Sequence, residues 1–214
     1  GLGDVYKRQS LLSSYGHDDR VCAYAELEAL FSLDMPEKTA VCILADKEEI
    51  GSVGISGMQS HYFEHFMEGL CDAQGVKLSD CFANSFCLSA DVSNAFDPNW
   101  PETCDKRNNS QLNYGVAICK YTGSRGKGGA SDASAEAMGH VRSTLDKAGV
   151  IWQIATLGKV DQGGGGTVAA YMANRNIVTV DAGVPVLSMH APLELVSKLD
   201  CYETMLACKA IYLA

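Results

Sequence analysis

Apolar residues recur along this chain with two different spacings, and their alternation predicts helices that alternate with strands. Short, nearly continuous apolar runs are typical of strands buried on both faces, and they cover residues 39–46, 85–91, 114–121, 151–157, 177–181 and 185–190. Helical spacing covers residues 19–33, 56–73, 132–148 with Ser131 as the N-cap, 167–173 and 193–213. This order predicts a three-layer α/β/α fold around a mostly parallel, mixed central sheet.

The composition is that of an ordinary globular chain with an excess of acidic residues. The 214 residues can bury one sizeable core, and 47% of them are hydrophobic. The formal net charge of −9 argues against nucleic-acid binding. Because no apolar run is long enough to cross a bilayer and no signal-peptide pattern opens the chain, we predict a cytoplasmic protein with no membrane partner.

The nine cysteines and the first nine residues each need an interpretation. An odd number of cysteines at irregular spacings, mostly inside apolar runs, predicts buried free thiols in a reducing compartment. Residues 1–9 show no clear period, so we interpret them as an artefact or a disordered segment and assign residues 10–214 to the folded domain.

Side chains that bind metal ions occur at four predicted strand or helix ends. Asp18 and Asp19 precede a helix, residues 46–49 follow one strand, Asp91 ends another and His190 ends a third. Ligands of open α/β sheets collect at the carboxyl ends of the strands, so the fold could gather these residues. Each has a simpler alternative, namely a helix cap for the first pair, solvated acids after a strand for residues 46–49, a turn residue for Asp91 and a core histidine for His190.

The adjacent acids Glu48 and Glu49 could have two different roles in one site. Neighbouring side chains of an extended backbone point in opposite directions, so one can bind a cation while the other faces a reacting water. Zinc hydrolases need both a metal ligand and a free base.

Two other motifs compete with this interpretation. Residues 61–65, HYFEH, match the H-x-x-E-H pattern of inverted zincins, but so short a pattern arises easily by chance. The glycine-rich segments 122–130 and 158–167 match no phosphate-binding motif, although they could bring backbone N–H groups close to a ligand.

The chain resembles the aspartyl aminopeptidase family of dinuclear zinc aminopeptidases. The resemblance extends from about Tyr15 to the end and rests on five ordered blocks, GHDDRVCAYAEL, ADKEEIGSVG, SADVSNAFDPNW, GKVDQGGGGTVA and VLSMHAPLE. It implies a peptide substrate and two Zn²⁺ ions, with Mn²⁺ or Co²⁺ as alternatives. It implies that Asp18 bridges the ions, Glu49 and His190 bind one, Asp91 binds the other and Glu48 is the general base. It also implies substrate-binding roles for Lys127, Gly164 and Gly165.

The chain also departs from that family. The family's first metal-binding histidine lies in an upstream H-x-D segment, and members carry a dimerisation domain that this sequence lacks. The resemblance therefore implies the C-terminal part of a catalytic domain, incomplete at its N-terminus and weakly active or inactive alone, whose full-length form is a homo-oligomeric dodecamer. The loop after Asp91 is rich in histidine in that family, whereas this chain has Asn94 and Asp97 there. This difference argues against carrying over the family's preference for acidic N-terminal residues.

We therefore expect a metal-dependent aminopeptidase that releases N-terminal, chiefly acidic, residues from peptides. One alternative is a related dinuclear zinc aminopeptidase of other specificity. The other is a non-catalytic peptide-binding or assembly module of the same fold. Missing upstream strands would also leave sheet edges and apolar surface exposed.

Overall fold

The structure is a computed structural model that describes residues 10–125 and 128–214. Its strands are β1 (Leu11–Ser14), β2 (Phe86–Ala90), β3 (Ser93–Asn94), β4 (Val116–Cys119), β5 (Tyr121–Ser124), β6 (Gly128–Asp132), β7 (Trp152–Ala155), β8 (Val178–Gly183), β9 (Pro185–Leu187) and β10 (Glu194–Ser197). Its α-helices are α1 (His17–Phe31), α2 (Tyr62–Gln74), α3 (Leu78–Ala83), α4 (Ala135–Ala148), α5 (Ala169–Ala173) and α6 (Lys198–Tyr212). The interpretation of residues 1–9 lies outside the described part of the chain.

The strands form two four-stranded sheets and one hairpin. The central sheet has the order β2-β8-β4-β7, in which β2 and β8 are parallel, β8 and β4 antiparallel, and β4 and β7 parallel. The second sheet has the order β1-β10-β9-β3 and is antiparallel except for its β9–β3 pair. Strands β5 and β6 pair antiparallel. The predicted mixed α/β class is confirmed, whereas the second sheet was not anticipated.

Helices cover both faces of the central sheet, as the apolar runs predicted. On one face, α4 and α6 pack on β4 and β8 through buried side chains that include Val141, Leu145, Ile118, Val180 and Ala207. On the other face, α2, α3 and α5 contribute Phe63, Met67, Phe82 and Met172. Central strands are apolar on both sides because each side faces a layer of helices.

The predicted strand at residues 39–46 is wrong, since the structure gives this segment no strand or helix. A cavity of about 810 Å³ is lined by this segment on one side and by residues 84–91, which include the edge strand β2, on the other. An apolar run indicates burial, but a strand also needs a neighbour that accepts and donates its backbone hydrogen bonds. Among the described residues, no strand supplies that neighbour.

Several predicted boundaries also need correction. The helix predicted from residue 56 begins at Tyr62, and the helix predicted from residue 132 has Ser134 as its N-cap, where the hydroxyl accepts the Ala137 N–H. The predicted N-cap Ser131 lies in β6 instead. The start of the predicted closing helix is the strand β10, because its apolar spacing fits either structure over four residues.

All nine cysteines lie within the described residues and have free thiols, as predicted. No helix in the described ranges is both long and apolar enough to span a membrane.

Candidate metal centre

Four separate backbone segments carry the predicted metal-binding residues. Asp18 lies where the chain leaves β1 and enters α1, ahead of the first regular helical turn. Glu48 and Glu49 open a single 3-10 turn, Glu48–Ile50, directly after the irregular segment. Asp91 follows the last residue of β2, and His190 lies in the turn between β9 and β10.

The structure brings Asp18, Glu49 and His190 together. His190 Nε2 lies 2.8 Å from Asp18 Oδ2 and 3.0 Å from Glu49 Oε1. One ligand atom from each residue falls within 4.8 Å of the other two, so a single cation could contact all three. Asp18 is mostly buried, whereas Glu49 and His190 face solvent, which leaves the cluster open to an incoming ligand.

A second group consists of Asp18, Asp19 and Asp91, whose oxygen atoms also lie within 4.8 Å of one another. Asp91 reaches this position because Gly183, the last residue of β8, has no side chain. A Cβ atom at Gly183 would lie 1.8 Å from the carbonyl oxygen of Asp91. Asp19 Oδ1 is buried and has no hydrogen-bond partner among the described atoms, so the group includes an acceptor that a cation would satisfy.

Burial and mutual repulsion raise the pKa values of these acids. Burial raises the pKa of Asp18 from its ordinary value of 3.8 to about 6, and the charge of Glu49 adds to the rise. The pKa values of Asp19 and Asp91 are raised well above 3.8, again mainly by burial. Burial and then Glu49 raise the pKa of Glu48. Crowded carboxyl groups of this kind are stabilised as anions by a divalent cation.

Glu194, which the sequence did not single out, holds the backbone of this centre. Its Oε2 atom accepts a hydrogen bond from the Asp18 N–H at 3.0 Å, and its Oε1 atom accepts one from the His190 N–H at 2.8 Å. The residue is the first of β10 and only 2% exposed. The only sequence signal was an acid that opens an apolar stretch, in the block that also contains His190.

Neither of the predicted substrate-binding glycines belongs to either group. Gly164 packs against the carbonyl oxygens of Gly123 and Leu157, and a Cβ there would lie 2.5 Å from the first. Gly165 lies beside the Leu157 side chain. Lys127 lies outside the described residues. Substrate-binding roles for these three residues stay predictions.

The competing H-x-x-E-H motif has a local structural explanation. Glu64 contacts His61 and accepts a hydrogen bond from Arg175 Nε at 2.7 Å. Arg175 also donates to the carbonyl oxygens of Tyr171 and Met58. The Glu64 carboxylate thus helps fix α2 to α5 through Arg175, and neither group of possible metal ligands includes this motif.

The sequence of the chain is similar to that of a known protein family. The sequence model of the family described as "Aminopeptidase I zinc metalloprotease (M18)" matches residues 4–212. The chain belongs to the M18 aminopeptidase family. The resemblance recognised from the five blocks is therefore confirmed, because aspartyl aminopeptidases are members of M18.

Individual relatives agree with this assignment. The chain is 49% identical over 200 residues to a probable M18 family aminopeptidase 1 of Clostridium acetobutylicum, covering 92% of this chain and 43% of the relative. A probable M18 family aminopeptidase 1 of Borrelia garinii is 46% identical over 98% of this chain and 47% of its own length. The crystal structure of aminopeptidase I from Clostridium acetobutylicum superposes with a TM-score of 0.91, covering 96% of this chain and 44% of that one. The chain thus spans less than half the length of these relatives.

The M18 family is described as zinc metalloproteases, and the residues present fit that ion. Zinc takes imidazole nitrogen and carboxylate oxygen, which are the donors that His190, Glu49 and Asp18 offer. The all-oxygen group of Asp18, Asp19 and Asp91 is a harder set that also suits Mn²⁺.

Proposed function

We propose that this chain is part of a metal-dependent aminopeptidase that removes N-terminal residues from peptides. The observation that carries the proposal is the convergence of Asp18, Glu49 and His190, residues far apart in sequence, around one ion-sized space. Membership of the M18 family supports peptide hydrolysis as the chemistry.

The proposed roles divide the acids into ligands and a base. Asp18 belongs to both groups of possible ligands, so it would bridge two ions, with Glu49 and His190 on one and Asp91 on the other. Asp19, whose Oδ1 is unpaired, joins Asp91 as a candidate ligand of the second ion. Bound ions would polarise the scissile carbonyl and lower the pKa of a bound water.

Glu48 would act as the general base. It belongs to neither ligand group, yet the charges of Glu49 and Asp18 both act on its carboxyl group, so it lies beside the cluster. It would take a proton from the attacking water and give it to the leaving amine.

The chain would form the C-terminal part of a longer catalytic domain. Its coverage of less than half of its relatives supports this, and so does the cavity between residues 39–46 and β2. We propose that an extended segment from the remainder of the protein fills the cavity and pairs with β2, which would turn residues 39–46 into the strand that their apolar pattern predicts.

The substrate specificity, oligomeric state and location of the whole protein are also part of this proposal. Release of acidic N-terminal residues and a dodecameric full-length form remain predictions of the resemblance, and a cytoplasmic location remains a prediction from the sequence pattern. One structural neighbour, yeast mApe1, is 24% identical with a TM-score of 0.75 and forms a dodecamer. Lys127, Gly164 and Gly165 are the proposed substrate-binding residues.

A chimera tests the proposal. Residues 15–214 would replace the matching part of the Clostridium acetobutylicum relative, so that this chain's own site residues act within a complete protein. We expect hydrolysis of aminoacyl-p-nitroanilides that depends on added zinc, and a panel of aspartyl, glutamyl and leucyl substrates measures specificity. A folded, zinc-loaded chimera without turnover would favour the non-catalytic module instead.

Two adjacent substitutions separate the roles of the paired acids. Glu48→Gln should lower kcat by about 100-fold or more with normal zinc content, because a missing base costs this much. Glu49→Gln should lower the zinc content itself. If Glu48→Gln loses zinc and Glu49→Gln retains it, the two roles are reversed.

Amide exchange and turnover test the proposal that this chain is only part of a catalytic domain. Amide exchange at residues 86–90 should be faster in the isolated chain, where β2 pairs only with β8 among the described strands, than in the chimera, where the proposed segment would pair with its outer edge. Turnover of aspartyl-p-nitroanilide by the isolated 214-residue chain as fast as by the chimera, or equal exchange in both proteins, would contradict an incomplete domain.

A further inference from the structure

The metal centre depends on a turn whose backbone is unusual. His190 has a φ angle of +68°, and Ser188, two residues earlier, has +59°. Residues other than glycine rarely adopt this left-handed conformation, so surrounding contacts must hold it. Within the turn, the Ala191 N–H donates to the Ser188 carbonyl at 2.9 Å. The backbone of His190 is further restrained by the bond from its own N–H to Glu194.

Asp18 is restrained by the same side chain. The backbone at Asp18 and Asp19 is not helical, although both residues lie within the bounds of α1. The Asp18 N–H therefore has no partner from a helical turn and donates to the second oxygen of Glu194. One buried carboxylate thus ties two ligand-bearing segments to each other at the start of β10.

We propose that Glu194 is a positioning residue of the metal centre, which sets the spacing between Asp18 and His190 and thereby the affinity for zinc. The inference rests on the proposed metal site and extends it to a residue that touches no ion. Both N–H groups need an acceptor, and the two carboxylate oxygens of Glu194 provide one for each. Residues that orient metal ligands in this way typically change metal affinity by about 10–100-fold when replaced.

Glutamate suits this buried position because both of its side-chain oxygens accept hydrogen bonds. Glu194 is 2% exposed, and β10 is held between β1 and β9, with Glu194 opposite Ser14. Glutamine has the same shape but offers one acceptor and one N–H₂ donor group. Glu194→Gln would therefore keep one of the two bonds and direct a donor at the other N–H.

The chain contains a matched control for this substitution. Asp200 is a fully buried acid whose two oxygens accept the N–H groups of Asn113 and Gly115, each at 2.8 Å. These contacts join α6 to the loop before β4 and involve none of the possible metal ligands. Asp200→Asn thus removes the same kind of interaction, and the same charge, away from the metal centre.

The experiment measures zinc affinity by competition with a chromophoric chelator in the wild-type chain, Glu194→Gln and Asp200→Asn. Cobalt absorption spectra of the same three proteins report ligand geometry. We expect both variants to unfold at lower urea concentrations than the wild type. Zinc affinity should fall by at least about tenfold, with an altered cobalt spectrum, in Glu194→Gln alone.

Each outcome decides the inference. Equal zinc affinity in Glu194→Gln and the wild type overturns it, as does an equal loss in both variants. Weaker binding with an unchanged cobalt spectrum would indicate loss of charge rather than of position, which also overturns it. A wild-type chain that binds no zinc removes the proposed metal site itself, and the inference with it.

If a variant does not fold, amide exchange in the wild-type chain tests the same inference. The Asp18 and His190 amides should exchange slowly in the metal-free chain, comparably with the Asn113 and Gly115 amides that Asp200 holds. Addition of zinc should slow the first pair and leave the second pair unchanged. Exchange of either site amide at the rate of an open chain in zinc-loaded protein would overturn the proposal.

Discussion

The carboxyl group of Asp181 should make the stability of this fold depend on pH, because it lies inside the central sheet. Asp181 is a β8 residue that is 6% exposed, and one of its oxygens accepts a hydrogen bond from the Thr167 hydroxyl. Burial raises its pKa from the ordinary 3.8 to about 7, against a smaller lowering by Thr167.

The sign of the effect follows from these pKa values. Between about pH 4 and pH 7 the folded state retains a proton that the unfolded state has released. The resulting stability is complete below the unfolded pKa and is lost as the pH rises through the folded pKa. A shift of about three units corresponds to a loss of ~4 kcal/mol at most, of which ~1 kcal/mol falls between pH 6 and 8.5.

Urea unfolding of wild type and Asp181→Asn, at half-unit steps over this range, measures the effect. The difference in unfolding free energy should shift in favour of the variant by ~1 kcal/mol and level off above the folded pKa. The two proteins are compared because burial also raises the pKa of Glu26, to about 8, and Glu26 contributes equally to the pH dependence of both. Asp72→Asn, at an exposed position of α2, is the control and should give a flat profile. A flat profile for Asp181→Asn as well would refute the argument.

Two further predictions concern ligand binding and the core. Zinc at 100 times its Kd should raise the unfolding free energy of the chain by about 2.7 kcal/mol, because it binds only the folded state. A chelator should remove this gain, and His190→Ala should show less of it, because only the Asp18, Asp19 and Asp91 group then remains. An undiminished shift in His190→Ala would place the zinc elsewhere. Leu145→Ala, at a side chain 1% exposed in α4, should cost about 2–5 kcal/mol in urea unfolding, because it leaves a cavity. Leu213→Ala, at a side chain 58% exposed, should cost less than about 0.5 kcal/mol, and similar losses in both would contradict the placement of the core.

Part of the fold could be predicted because burial leaves a local mark on the sequence. The runs at residues 85–91 and 114–121 became β2 and β4, since strands covered on both faces need apolar residues throughout. The run at residues 39–46 carries the same mark but forms no strand. Burial is a property of the side chains, whereas strand formation depends on a neighbouring backbone that the pattern cannot reveal.

The candidate site was predictable to a similar degree. Asp18, Glu49 and His190 were chosen from their positions at element ends and from the resemblance, and the structure places their ligand atoms together. Asp19 was noticed only as a neighbour of Asp18. Its unpaired buried oxygen became visible only when the surrounding atoms were in place.

By itself, the sequence determined the fold class, the family and most of the acids and imidazole available to hold a metal ion. Those properties depend on residue type and order, which the chain states directly. Only the tertiary structure decided that Gly183 lets Asp91 approach, that the chain turns at His190 through a left-handed backbone, and that Glu194 joins two distant segments. Such contacts depend on distances of a few ångströms between residues far apart along the chain, and no local pattern encodes them.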